Sequence, residues 1–139
     1  MRVREARPDD RLAVRRVLDA AMLAVEDVPA RIEAGDVLVA VEDDRVIGAC
    51  VLVPPDDAGA SDWIAQTGVD AHVDAIAVRR RRRGTGIGRA LIERASDRGR
   101  LSAAFEADVR PFYDDLGFEL LDRTTPDGRL IAVSRPEAE

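Results

Sequence analysis

The residues best suited to chemistry are three glycines at alternate positions, Gly84, Gly86 and Gly88, which follow a run of five arginines at 79–83. An alternating, β-branched stretch precedes them and an apolar helical pattern follows, so the sequence predicts a strand, a glycine turn and a helix. Backbone N–H groups at the start of a helix lack intrahelical partners, and the positive end of the helix dipole lies behind them. The stretch therefore predicts a binding site for an anion, most often a phosphate.

Two common nucleotide-binding motifs are missing from this turn. A P-loop requires a lysine after its glycines, but all 21 basic residues of the chain are arginine. The dinucleotide motif G-x-G-x-x-G, counted from Gly84, has Arg89 at its third glycine position. Neither nucleotide class therefore accounts for the turn.

The hexapeptide RGTGIG at 83–88 resembles the R/Q-x-x-G-x-G/A signature of the GNAT (GCN5-related N-acetyltransferase) family, in which the turn holds the pyrophosphate of acetyl-CoA. A second stretch, FYDDLGF at 112–118, is similar to the family motif F-Y-x-x-x-G-F. The resemblance implies acetyl-CoA as cosubstrate and the α/β fold of the family, with a mixed sheet. It also implies cofactor contacts from Ile76, Val78, Arg83, Gly84, Thr85, Gly86, Ile87, Gly88 and Tyr113.

Tyr113, in the second motif, is the candidate general acid. Acetyl transfer from a thioester to an amine requires an acid for the departing thiolate, and a phenol with a pKa of about 10 is neutral at pH 7 yet able to protonate it. In the family, the tyrosine at this position lies beside the thioester sulfur. The alternative interpretation is a tyrosine that only packs between a helix and the sheet.

His72 and Asp74 are the candidate bases, because an alkylamine with a pKa of about 10.4 must lose a proton before it attacks. On a strand, His72, Asp74, Ile76 and Val78 share one face. Arylalkylamine acetyltransferases have a His-x-His pair ending four residues before the equivalent of Val78, where this chain has His72-x-Asp74. Asp74 is either the base or a solvated strand acid, and His72 is expected to lie at the surface.

The elements that position these residues are predicted in the order β-α-(α)-β-β-β-α-β-α-β-β, within a single domain of residues 1–139. Asp108 is predicted to cap the helix that holds Tyr113, and Gly117 to end that helix. The first helix is predicted over 12–23. Between 54 and 70 the sequence predicts a long loop, in which Trp63 is either a hydrophobic anchor or a lid over a pocket.

Composition excludes several classes of function. The net charge of -6 and a pI of about 4.9 argue against a general nucleic-acid binder, and no apolar run approaches the length of a membrane span. The N-terminus has no signal-peptide pattern, so a cytoplasmic location is expected. A single cysteine, Cys50, excludes an internal disulfide, and no metal site is predicted.

The predicted function is direct transfer of an acetyl group from acetyl-CoA to a small amine or a peptide terminus. Carboxylates at Asp74, Glu106, Asp114 and Asp115 are expected near the acceptor, where negative charge favours a cation, unless the whole surface is simply acidic. The alternatives are a non-catalytic acyl-CoA-binding or regulatory protein and a small RNA-binding domain. The arginine run is either an RNA-binding patch or a positive collar for the cofactor phosphates. No nucleic-acid or membrane partner is expected, and assembly as a homodimer is left open.

Overall fold

The computed structural model describes residues 1–55 and 68–134. Its strands are β1 (Arg2–Glu5), β2 (Val37–Glu42), β3 (Arg45–Val53), β4 (Ala71–Val78), β5 (Leu101–Phe105), β6 (Phe118–Thr124) and β7 (Leu130–Ser134). Its helices are α1 (Arg11–Ala20), α2 (Val28–Glu33), α3 (Ile87–Ala95) and α4 (Arg110–Asp115). Within the described residues, the predicted element order is confirmed. The alternatives for Trp63 concern a residue outside the described part of the chain.

The strands form a mixed sheet in the order β1-β2-β3-β4-β5-β7-β6. The β4–β5 pair is parallel, and the pairs β1–β2, β2–β3, β5–β7 and β6–β7 are antiparallel. The last strand, β7, lies between β5 and β6, so the order in the sheet departs from the order in the chain. This topology confirms the predicted mixed α/β fold.

The described residues divide into two compact units. The first is formed by residues 1–52 and 74–97 and contains β1, β2, β3 up to Leu52, the end of β4, and helices α1, α2 and α3. The second takes its described residues from 53–73 and 98–134 and contains the start of β4, the last three strands and α4. A single domain over 1–139 stays a prediction.

The core of the first unit is built by the amphipathic face of α1 against apolar strands. Helix α1 buries Val14, Val17 and Leu18, whose i, i+3, i+4 spacing places them on one side of the helix. In β2 every residue from Val37 to Val41 is buried, and in β3 every residue after Arg45 is buried. These strands are therefore fixed supports for the loops that follow them.

Two helix boundaries differ from the sequence prediction. Helix α1 ends at Ala20 because the chain turns there, with Met22 in the left-handed region at φ 60°. The predicted cap at Asp108 is wrong, since this residue lies inside a 3₁₀ turn, Ala107–Val109. Pro111 stands in the first turn of α4, where its fixed φ suits a helix start without a side-chain cap. None of the helices in the described residues is long and apolar enough to cross a membrane.

Candidate functional site

The glycine turn lies between β4 and α3, as the sequence predicted. Gly84 and Gly86 both have positive φ, 79° and 87°, and Gly86 is the residue that precedes the helix. The carbonyl of Gly86 accepts the helical hydrogen bond from the N–H of Ala90 at 3.0 Å. The N–H groups of residues 87–89 precede that bond and are the donors that a helix leaves without intrahelical partners. A Cβ built on Gly84 or Gly86 would meet nothing within 4 Å, so the space beside these backbone groups is open.

A β-bulge in β3 anchors the segment that leads into this turn. The β2–β3 register shifts between Ala40 and Val41, which makes Ile47 an extra residue of β3. The carbonyl of Ile47 accepts a hydrogen bond from the backbone N–H of Arg79 at 2.8 Å. The carbonyl of Val46 accepts a second one from the Nε of Arg79 at 3.0 Å. The bulge thus directs two carbonyls at the first arginine of the run, a common use of bulges beside functional sites.

Further contacts hold the segment between Arg79 and α3. Arg82 forms a salt bridge to Glu42, with 2.6 Å between Nη2 and Oε1, and so ties the arginine run to the β2–β3 hairpin. Arg83 donates from Nε to the carbonyl of Val78 at 3.3 Å, and the Thr85 hydroxyl donates to the carbonyl of Arg82. The turn is therefore held in shape by its neighbours on β2, β3 and β4 before any ligand binds.

Gly48 allows α3 to pack closely on the sheet, a role that the sequence did not indicate. A Cβ at this position would lie 3.1 Å from Ile87 Cγ2 and 3.2 Å from both the Ala77 carbonyl oxygen and Leu91 Cδ1. These distances are shorter than ordinary van der Waals contacts. A side chain at position 48 would therefore require Ile87, Leu91 or the Ala77 carbonyl to shift by a few tenths of an ångström, which glycine avoids.

At the end of β4, exposed and buried side chains alternate as the sequence predicted. Asp74 is exposed, Ile76 and Val78 are partly exposed, and the alternating Ala75 and Ala77 are buried. The side chains of Asp74, Ile76 and Val78 thus share one accessible face in the first unit, the unit that also holds the glycine turn. Their contacts with a ligand stay a prediction.

His72 is buried, which makes the expected surface position wrong. It pairs in register with Ser102 of β5, and its Nδ1 lies 2.7 Å from the Ser102 hydroxyl, which is itself fully buried. Burial, and to a lesser extent the positive charge of Arg129, lower the pKa of His72 to about 4. The ring is therefore uncharged at neutral pH and is a weaker base than an ordinary imidazole. Its role as a base stays a prediction.

Tyr113 is surrounded by all three phenylalanines of the chain. Its ring is stacked on Phe105, with centroids 4.3 Å apart, and it makes edge contacts with Phe112 at 5.0 Å and Phe118 at 5.1 Å. It is 3% exposed. The packing interpretation therefore has direct geometric support, while the general-acid role stays a prediction. Gly117 follows α4 with a φ of 82°, as predicted for a residue that ends a helix.

The acidic residues expected near the acceptor are exposed in the part of the chain that the structure describes. Glu106, Asp114 and Asp115 all lie on the surface of the second unit. Asp114 forms an i,i+4 salt bridge with Arg110, at 3.2 Å between Oδ2 and Nε, and this pairing reduces its field. Within residues 1–55 and 68–134, no group of three or more His, Cys, Asp or Glu side chains could hold a metal ion.

Comparison with known proteins identifies the family of this chain. The model of the acetyltransferase (GNAT) domain matches residues 33–120, a range that includes both motifs. The chain belongs to the GNAT acetyltransferase family. No curated protein matches the chain in sequence.

Solved structures share the GNAT fold at low sequence identity. An acetyltransferase of Salmonella typhimurium with its cofactor acetyl-CoA is 18% identical, with a TM-score of 0.72 over 100% of this chain and 95% of that one. Ribosomal-protein-alanine N-acetyltransferase of Brucella melitensis is 22% identical, with a TM-score of 0.69 over 96% and 99%. N-acetylglutamate synthase of Neisseria gonorrhoeae, complexed with coenzyme A and L-arginine, is 17% identical, with a TM-score of 0.75 over 99% of this chain but 33% of that one.

Proposed function

We propose that this GNAT protein is an acetyl-CoA-dependent N-acetyltransferase that transfers the acetyl group directly to an amine. The observation that carries the proposal is the turn before α3, where two left-handed glycines precede a helix start with open space beside its backbone donors. The acetyl-CoA in the Salmonella structure and the coenzyme A in the Neisseria structure support the same cosubstrate.

The residues of the turn fit a diphosphate. Its oxygens are strong acceptors, and the N–H groups of residues 87–89 are donors at the positive end of a helix dipole. Because Gly84 and Gly86 have no side chains, the diphosphate can approach these donors closely. Arg83, Thr85, Ile87 and Gly88 complete the predicted contacts, and residues 76–78 of β4 would lie along the pantetheine arm. When bound, acetyl-CoA supplies the activated acetyl thioester.

Asp74 is the proposed proton acceptor for the amine. It is exposed on the accessible face of β4, whereas the ring of His72 is buried, has a lowered pKa and lies against Ser102. The protonated amine must give up one proton before it attacks and a second as the amide forms. A carboxylate, or a water held by that carboxylate, can accept the first, and the second balances the proton that the leaving thiolate takes up. Tyr113 is the proposed donor of a proton to the thiolate that leaves.

A cationic amine is the proposed class of acceptor. Asp74 in the first unit and Glu106 and Asp115 in the second are exposed carboxylates, and the chain has a net charge of -6. Negative charge raises the local concentration of cations. The Brucella and Neisseria structures are named for acetylation at nitrogen, which supports an amine as acceptor.

A second candidate is a non-catalytic protein that binds acyl-CoA. The observation that favours it is the burial of Tyr113 among Phe105, Phe112 and Phe118, since a ring at this position can serve packing alone. Both candidates require acetyl-CoA binding, but only the first requires release of coenzyme A as a free thiol.

An acceptor screen distinguishes the two candidates. The purified chain is incubated with acetyl-CoA and a panel of small amines, peptides with free amino termini and anionic metabolites, and thiol release is followed against wells without acceptor. We expect release only with an amine, and mass spectrometry should place the acetyl group on its nitrogen. Binding of acetyl-CoA without thiol release for any acceptor in the panel would favour the non-catalytic candidate.

A further inference from the structure

The five arginines of residues 79–83 fall into two sets. Three are engaged with their surroundings: Arg79 with a β3 carbonyl, Arg82 with Glu42, and Arg83 with the carbonyl of Val78. The side chains of the other two, Arg80 and Arg81, are exposed and make no hydrogen bond or ion pair with any residue that the structure describes. Neither packing nor the stability of the turn therefore explains why arginine occupies positions 80 and 81.

The backbone that holds these two side chains is nevertheless fixed. They belong to a 3₁₀ turn, Arg80–Arg82, whose preceding residue Arg79 is bonded twice to the β3 bulge. At its other end, Arg82 is bridged to Glu42. Two guanidinium groups are thus presented to solvent from an ordered support, immediately before the glycine turn.

The proposed cosubstrate has a further phosphate group, for which the backbone donors of the glycine turn provide no site. Besides its diphosphate, acetyl-CoA has a phosphate monoester on the ribose, and such a group carries about -1.5 to -2 charges at pH 7. The donors of residues 87–89 are matched to the diphosphate. Elsewhere on a chain of net charge -6, the monoester would meet a predominantly acidic surface. Guanidinium groups form strong, paired hydrogen bonds with phosphate oxygens.

Resting on the proposed function, we propose that Arg80 and Arg81 bind the ribose 3′-phosphate of acetyl-CoA and are specificity determinants for the phosphorylated cofactor. The engaged arginines shape the turn, and the two free ones recognise the monoester. The cofactor would then be held at two separate points, by backbone donors on its diphosphate and by side chains on its monoester.

The test compares acetyl-CoA with 3′-dephospho-acetyl-CoA by titration calorimetry at low salt. The variant is Arg80→Gln/Arg81→Gln. Its matched control is Arg11→Gln/Arg16→Gln, which removes the same charge from exposed positions of α1 in the same unit. We expect the wild type to prefer acetyl-CoA by about tenfold or more, the size of one or two exposed charge-assisted hydrogen bonds. The variant should lose this preference and bind the dephospho form as the wild type does, and the control should keep the preference.

Three results would overturn the assignment. The first is an equal loss of affinity for both cofactors in the variant, which would place the arginines on the diphosphate or in general steering. The second is equal affinity of the wild type for both cofactors. The third is unchanged cofactor binding in the variant with loss of binding to an RNA oligonucleotide, which would make the pair a nucleic-acid patch. A wild type that binds neither cofactor would refute the proposed function itself.

Discussion

Replacement of Gly86 by alanine separates the conformational role of this residue from its role in binding. Gly86 has a φ of 87°, a region that L-residues avoid at a cost of about 1–2 kcal/mol, and its Cβ would meet nothing within 4 Å. The variant should therefore fold, with a loss of about 1–2 kcal/mol in the free energy of unfolding. No steric clash adds to that loss.

Gly128 provides a matched control for this strain. It has a φ of 89° in the turn before β7, and its Cβ would also meet nothing within 4 Å. Gly128→Ala should cost the same about 1–2 kcal/mol of stability. Because this turn has no part in the proposed cofactor site, the acetyl-CoA affinity of the Gly128→Ala variant should equal that of the wild type.

The effect of Gly86→Ala on binding should be larger than its effect on stability. The added methyl group occupies the open space beside the donors of residues 87–89, where the diphosphate must lie. Loss of two hydrogen bonds to a charged group, at about 1.5–3 kcal/mol each, amounts to about 3 kcal/mol or more. The dissociation constant should therefore rise by about 100-fold or more.

Two measurements check this prediction. Urea unfolding gives the stability of both variants, and calorimetric titration with acetyl-CoA gives their affinities under conditions where both are folded. If Gly86→Ala and Gly128→Ala bind acetyl-CoA with the same affinity, the backbone donors at the start of α3 do not hold the diphosphate.

Three further predictions concern catalysis and pH. Tyr113→Phe should lower kcat by about 10²–10⁴-fold, the usual contribution of a general acid, and leave the calorimetric Kd for acetyl-CoA nearly unchanged; equal kcat in wild type and variant would return the ring to packing alone. Asp74→Asn should lower kcat/KM for the best amine well beyond the effect of Asp44→Asn, an exposed carboxylate of the β2–β3 turn, and equal losses would remove Asp74 from the acceptor site. Because burial lowers the pKa of His72 to about 4, the unfolded state binds more protons than the folded state between pH 6.5 and 4. The free energy of unfolding should therefore decrease as the pH is lowered through that window, by about 3 kcal/mol in total. Urea unfolding at several pH values should show a shallower fall in His72→Gln, and an identical fall would exclude this residue as the cause.

The features that the sequence predicted well depend on local signals. The turn was predictable because Gly84 and Gly86 need positive φ and lie directly before an apolar helical pattern. The faces of β4 followed from alternation, and Asp74 is exposed while Ala75 is buried, as a period of two requires.

The features that the sequence did not predict depend on contacts between distant segments. Burial of His72 follows from its register with Ser102, thirty positions along the chain, which alternation within one strand cannot show. Neither the β3 bulge nor the bridge from Glu42 to Arg82 has a local signal. The role of Gly48 requires the position of α3 on the sheet, and a lone glycine in a strand does not reveal it.

The central claim is that the start of α3 binds the diphosphate of acetyl-CoA. It is tested most directly by assigning the backbone amide NMR signals and titrating the uniformly ¹⁵N-labelled chain with acetyl-CoA. If the start of α3 binds the diphosphate, the largest, saturable shifts should occur at the amides of residues 84–89, with smaller changes in the β6–β7 turn around Gly128. Saturable binding with no shifts at residues 84–89 would contradict the assignment of the diphosphate to the start of α3.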